Sequence, residues 1–161
     1  MIAYLGIGSN IDAENNIFLA KKAIVECFEV AEFSAIYESA AVGFKGDNFH
    51  NLVARVATNL SLNELLAQLK SLEQSLGRQR SAERFSSRSI DIDILLFGEL
   101  VCEQPIQLPR EEIRHNAYVL WPLAELSPEL IEPGGTRTYG QLWRQFDKSS
   151  QQIKKISARK G

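Results

Sequence analysis

The chain of 161 residues is poor in the features that mark several protein classes. Its two cysteines, Cys27 and Cys102, form no CxxC and no Cys/His ligand spacing. A disulfide framework and a structural zinc site are therefore not expected, and reducing cytoplasm is the default compartment. The two histidines, His50 and His115, have no acidic and serine or cysteine partners at motif spacing, which leaves a nucleophilic triad without support. No apolar run approaches the roughly 20 residues needed to cross a bilayer. The opening MIAYLGIGSNIDAENN also lacks a basic stretch followed by a long apolar one, so neither export nor membrane association is expected. Excess charge is missing too: 18 Lys and Arg against 20 Asp and Glu give a net charge of −2, and general binding of nucleic acid is not expected.

What remains is ordinary globular composition, 45% hydrophobic and 24% charged, enough for one buried core. No repeat or Pro/Gly/Ser-rich linker interrupts it. One domain over residues 1–148 is expected, followed by a loose basic tail over 149–161 carrying Lys154, Lys155, Arg159 and Lys160.

Hydrophobic periodicity gives the coarse order. Residues 2–7 read as a buried strand, with Gly6, Gly8, Ser9 and Asn10 as the turn leaving it. Ile17, Ala20, Ile24, Cys27 and Phe28 recur at helical spacing, which places Cys27 on the core face. A period of two follows around 33–37, and 52–57 fits another strand, with His50 in the loop before it. Ser61-Leu-Asn-Glu64 forms a capping box at the start of a leucine-striped helix, and Gly77 reads as its left-handed stop. A strand is expected over Ile90–Phe97, then short amphipathic helices over Val119–Leu126 and Tyr139–Phe146, which carry Trp121 and Trp143 as packing residues. Pro122 and Pro128 set local boundaries. The order β-α-β-β-α-β plus helices predicts an α+β fold with a ferredoxin-like βαββαβ core. The extra C-terminal helices would complete a three-layer α/β/α sandwich.

The charge is arranged unevenly. Residues 78–93, RQRSAERFSSRSIDID, hold Arg78, Arg80, Arg84 and Arg88, followed by Asp91 and Asp93. On a strand these two carboxylates share a face with Cα atoms roughly 6.6 Å apart. Such a pair can hold magnesium, which takes oxygen ligands and brings substrate phosphates with it, and arginine is the matching phosphate donor. The same pattern also describes a solvated strand face with surface counter-charges. Aspartate is nevertheless a poor strand former, and two on one face call for a compensating cation.

RSAERFSSRSIDIDILLFGE resembles the signature of the 6-hydroxymethyl-7,8-dihydropterin pyrophosphokinases, folate-pathway enzymes that move a diphosphate from ATP to a pterin alcohol. YLGIGSN, FHN at Phe49–Asn51, the SLxELL helix leading to GRxR, and VLWPLAELSPEL follow in the family's order. The resemblance implies that Asp91 and Asp93 bind two magnesium ions and that Arg78 and Arg88 are catalytic. It assigns Glu73, Arg80, Ile94 and Arg110 to the nucleotide, and Val42, Phe49, Asn51, Phe85 and Tyr118 to the pterin. Phe49 and Tyr118 would sandwich the ring, while Asn51 would hydrogen-bond it. The implied partners are ATP and reduced pterin, acted on by a monomer.

This chain departs from the family pattern at Ser86-Ser87 in place of Gly-Pro, at Arg110 in place of histidine, at Asn116 in place of a basic residue, and at Ala40-Ala41 in place of a proline-rich loop. Those changes motivate a competing reading, a paralogue that binds pterin or nucleotide without efficient turnover. A third reading, an RNA-binding module of the same strand order, lacks an aromatic-glycine stacking motif on a central strand.

Overall fold

The computed structural model describes residues 1–39, 48–78 and 90–156. Among the described residues six strands form one sheet: β1 (Ile2–Ser9), β2 (Ala31–Phe33), β3 (Tyr37–Ser39), β4 (Phe49–Ala57), β5 (Asp91–Phe97) and β6 (Ile153–Lys155). Their order is β5-β1-β4-β3-β6, and β2 also pairs with β4. Every pairing is antiparallel. The helices are α1 (Ala13–Cys27), α2 (Leu62–Arg78), α3 (Glu112–His115), α4 (Ala117–Leu126) and α5 (Tyr139–Gln145). No helix among the described residues is long and apolar enough to cross a membrane.

Strand alternation divides the apolar side chains between two clusters. Ala3, Leu5 and Ile7 of β1 join Leu52, Ala54 and Val56 of β4, Ile92 and Ile94 of β5, and the buried stripes of α1 and α2. Tyr4, Val53, Leu95 and Leu96 turn the other way, onto α4 and α5. Two consecutive β5 residues reach this second cluster because the β1–β5 register shifts between Tyr4 and Leu5. Such a bulge lets neighbours in sequence share a face.

The capping box at α2 forms as expected: the Ser61 N–H donates to Glu64 Oε1 at 2.8 Å, and the Glu64 N–H donates to Ser61 Oγ at 3.2 Å. The Ser61 backbone N–H first, and then the Ser61 hydroxyl, hold the Glu64 carboxyl below its usual range. A second box, Thr138 with Gln141, starts α5.

Several local expectations are corrected. Gly6, Gly8 and Ser9 belong to β1 and are not a turn, because β4 pairs with the strand along its full length and β5 pairs with it from Ala3 to Gly8. Gly77 is helical, without a left-handed φ, and α2 continues to Arg78. Cys27 is exposed, because Phe28, four residues after Ile24, takes the core position and leaves Cys27 beside it facing solvent. His50 lies in β4, where its Nε2 meets Glu38 Oε2 at 3.1 Å. Pro122 sits inside α4, where it omits one backbone bond while its ring is buried. The expected second strand is split into β2 and β3, which pair with opposite ends of β4. In the stretch expected to be loose from Ser149, β6 pairs with β3.

Candidate active site

The site is set by register. Across the sheet, Gly8 of β1 is flanked by Asn51 of β4 and Asp91 of β5, and Gly6 is flanked by Val53 and Asp93. Residues directly opposite on adjacent strands point to the same face. The polar end of the sheet therefore carries Asn51 and Asp91 on either side of a residue with no side chain, one row from Asp93. A Cβ on Gly8 would fall 2.5 Å from Asn51 Oδ1, so a side chain there would displace the Asn51 amide.

Above this floor lies a cavity of about 790 Å³, lined by Phe49, Asn51, Asp91, Asp93 and Tyr118 among others. Phe49 enters from the start of β4, and Tyr118 from the first turn of α4. Burial first, and then the nearby Glu112 carboxylate, raise the Tyr118 hydroxyl above its ordinary pKa, so the ring stays neutral near pH 7. The Asn51 Nδ2 is buried and has no hydrogen-bond partner among the described residues. An orphan donor at a cavity wall suits a ligand carbonyl or ring nitrogen.

The strand β5 presents its carboxylates as the sequence predicts, with Ile90, Ile92 and Ile94 buried, Asp91 half-buried and Asp93 exposed. Glu73 of α2 binds the edge of that strand: its Oε2 accepts from the Ile92 N–H at 2.7 Å, between the two aspartates. Arg110 reaches Asp93 Oδ1 at 3.5 Å, and its Nε donates to the Ile94 carbonyl oxygen at 3.1 Å. The Ile94 side chain is buried in the core beneath, so what it offers to this side is its backbone oxygen.

One cavity thus brings together five of the residues assigned from the sequence: Phe49, Asn51, Asp91, Asp93 and Tyr118. Glu73, Ile94 and Arg110 stand behind it along β5. Arg78 is the last residue of α2. Val42, Arg80, Phe85 and Arg88, with the Ala40-Ala41 and Ser86-Ser87 departures, lie outside the described residues. Sequence reasoning missed Gly8 as part of the floor, although a GxG inside an apolar run is a signal of close approach. It also missed Glu112 and residues 150–153 as cavity lining, which no local pattern announces.

Two adjacent carboxylates open to a cavity are hard oxygen donors. No cluster of three or more His, Cys, Asp or Glu able to hold a metal occurs among the described residues. Such a pair fits magnesium, which keeps waters and shares phosphate oxygens, better than a cation that needs a full protein cage.

Known proteins resemble this chain in sequence and fold. Residues 4–128 fit the model of the family described as 7,8-dihydro-6-hydroxymethylpterin-pyrophosphokinase (HPPK). A relative from Aquifex aeolicus named 2-amino-4-hydroxy-6-hydroxymethyldihydropteridine pyrophosphokinase is 37% identical over 135 residues, covering 81% of this chain and 82% of its own. A relative of the same name from Synechocystis is 33% identical over 149 residues, covering 90% of this chain and 76% of its own. Among solved structures, a Plasmodium falciparum HPPK-DHPS superposes with a TM-score of 0.74 at 14% identity, over 99% of this chain and 46% of that one. The likeness at that identity is one of fold, and this chain spans less than half of that one's length. On the family match over most of its length and two relatives above 30% identity, the chain belongs to the HPPK family.

Proposed function

We propose that this protein transfers diphosphate from ATP to the hydroxymethyl group of 6-hydroxymethyl-7,8-dihydropterin, releasing AMP, as a step of folate biosynthesis. One observation carries the reading at the level of the site. The row Asn51–Gly8–Asp91, with Asp93 beside it, forms the floor of a cavity walled by Phe49 and Tyr118. Relatives named as the pyrophosphokinase favour turnover over a binding-only paralogue.

In this reading the pterin ring enters between Phe49 and Tyr118, where stacking favours a flat fused ring over a sugar or an aliphatic chain. The Asn51 Nδ2, otherwise unsatisfied, donates to the pyrimidine edge and orients the ring. Gly8 keeps the floor flat under it. The hydroxymethyl end then lies toward β5, where Asp91 and Asp93 would hold two magnesium ions. Bound there, the metal would neutralise phosphate charge and align the triphosphate. Arg78 and Arg88 match the family's catalytic arginines, and Arg80 its nucleotide contacts. Arginine carries a planar guanidinium that donates to phosphate oxygens in pairs, which suits this role. Glu73 and Arg110 keep β5 in position from behind. The pterin hydroxyl attacks the β-phosphorus in line and AMP leaves, so the rate comes from positioning and charge stabilisation.

The connectivity supports a finer description of the fold as a ferredoxin-like βαββαβ core over β1 to β5, with β2 and β3 together as its second strand. Helices α1 and α2 would form one outer layer, and the C-terminal helices the other. The enzyme is proposed to act as one catalytic domain, a cytoplasmic monomer on freely diffusing ATP and pterin. The test is direct: incubate the protein with ATP, magnesium and the reduced pterin alcohol, and follow AMP. Release that depends on all three is expected; none above background at high enzyme concentration would overturn the assignment.

A further inference from the structure

We propose that residues 148–156 are a strap that fixes the spacing of the two aromatic cavity walls, with Gln151 as its positioning residue. This inference rests on the pterin reading of the cavity. The strap has three anchors. At its start, the Lys148 ammonium donates to the Trp143 carbonyl at the end of α5, at 2.6 Å. In the middle, the Gln151 side chain bridges the break between α3 and α4. Its Oε1 accepts from the Ala117 N–H at 2.8 Å, and its Nε2 donates to the His115 carbonyl at 2.7 Å. At its end, β6 pairs with β3, placing Ile153 opposite Ser39, and the Ile156 N–H donates to the Ile36 carbonyl at 2.9 Å.

These anchors lead to the two walls. Asn116, extended at φ −116° and ψ 117°, is the one residue between α3 and α4, and Tyr118 follows directly in the first turn of α4. The Ala117 N–H is one of the orphan donors of that turn, and Asn116 makes no side-chain cap for it. Gln151 supplies the missing acceptor from outside the helix and sets where α4, and hence Tyr118, begins. On the other side, Ser39, the partner of Ile153, is paired in turn with Phe49. The strap therefore runs from the Tyr118 wall to the Phe49 wall, and Ser150, Gln151, Gln152 and Ile153 themselves line the cavity between them. A stacked ring depends steeply on the gap between the flanking rings, so a brace across that gap governs affinity for the pterin and leaves the nucleotide side untouched.

The experiment compares Gln151→Leu, which keeps the volume and removes both hydrogen bonds, with a chain ending at Asp147. Pterin affinity is read by calorimetry, and KM by turnover, for both substrates. The expected result for Gln151→Leu is about a tenfold weaker pterin Kd and KM, the order of two neutral hydrogen bonds lost from a positioning element. The ATP KM should stay within about twofold, and the shortened chain should show a larger loss in the same direction. Gln151→Glu, which can still accept from Ala117 but cannot donate to His115, should fall between wild type and Gln151→Leu. Unchanged pterin affinity in Gln151→Leu overturns the proposal, as does parallel weakening of ATP and pterin together with a lowered Tm; if the shortened chain fails to fold, Gln151→Leu decides. Wild-type turnover with unaltered variants defeats the strap alone, whereas wild-type protein that binds no pterin defeats the functional reading and the strap with it.

Discussion

The two faces of the sheet are built of different materials. Against α1 and α2 the buried cluster contains Ala, Val, Leu, Ile and Phe. Against α4 and α5 it includes Tyr4 and Tyr139, with Tyr118, Trp143 and Phe146 at its margin, and the cavity opens on this side. Polar pairs hold that second face in register. The Tyr4 hydroxyl meets Ser127 Oγ at 2.6 Å, and Glu125 accepts from both the Tyr37 hydroxyl and the Ala35 N–H. Tyr37, Trp121, Trp143 and Phe146 stack in a row with centroids 4.5 to 5.6 Å apart. Apolar packing is non-directional and yields stability, whereas hydrogen bonds and ring stacking fix orientation. The first face thus rests on non-directional apolar burial alone, and the second adds the alignment that a two-walled site requires.

Substitutions that should affect one face and spare the other test this division. The largest stability effect belongs to the aliphatic face: Leu65→Ala, at a fully buried position of α2, should cost about 2–5 kcal/mol. Denaturant unfolding would show it as a lower midpoint, with activity per folded molecule retained. A comparable loss of specific activity under native conditions would mean that the two faces are not separable.

Next is Asp93→Ala on the polar end of β5, expected to slow AMP release about a hundredfold or more, the scale of losing one preorganised electrostatic group. The side chain is 51% exposed, so Tm should hardly move. A near-wild-type rate would discredit the metal-binding role of β5. Tyr37→Phe should have a smaller effect, about 1–3 kcal/mol, because it leaves a mostly buried Glu125 carboxylate short of one donor. Burial, reinforced by Glu125, raises the Tyr37 pKa, so the hydroxyl is a donor at every working pH. No change in unfolding midpoint would remove this pair from the set that aligns the second face.

The contrast between the faces also explains what could be read from the sequence. α2 was legible because one leucine stripe and one capping box determine it locally, and β5 because alternation alone places Asp91 and Asp93 together. Both belong to elements whose partners need not be known. Gly8 was not legible, since its role depends on standing opposite Asn51 and Asp91, and register is a property of three strands. α3 is four residues long, too short for a period to show. The strand β6 was hidden because Ile-Lys-Lys reads as solvated tail; it forms by using β3 as a template and placing Lys155 3.5 Å from Glu125. Cys27 misled because both i+3 and i+4 from Ile24 fit helical spacing, and only the i+4 residue, Phe28, is buried.

The smallest effect is a pH dependence at the root of the C-terminal segment. Asp147 Oδ1 accepts from the Ser149 N–H at 3.0 Å and from the Ser149 hydroxyl at 2.5 Å, capping the 3-10 turn at Lys148–Ser150. The side-chain bond first, and then the backbone bond, hold the Asp147 carboxyl below its ordinary value of 3.8. A depressed folded-state pKa means that the folded state favours the ionised form. The contribution is complete above the unfolded value and is lost as pH falls through the folded one. A carboxyl-detected NMR titration should therefore place the Asp147 midpoint below the usual aspartate range, and Ser149→Ala should move it back toward 3.8. Because the group is solvent-exposed, global stability should barely respond, while protection of the Ser149 amide, taken relative to its intrinsic exchange rate, should fall in acid. A midpoint unchanged by Ser149→Ala would show that this turn is not held by its cap, and that the segment beyond it depends on Gln151 and β6 alone.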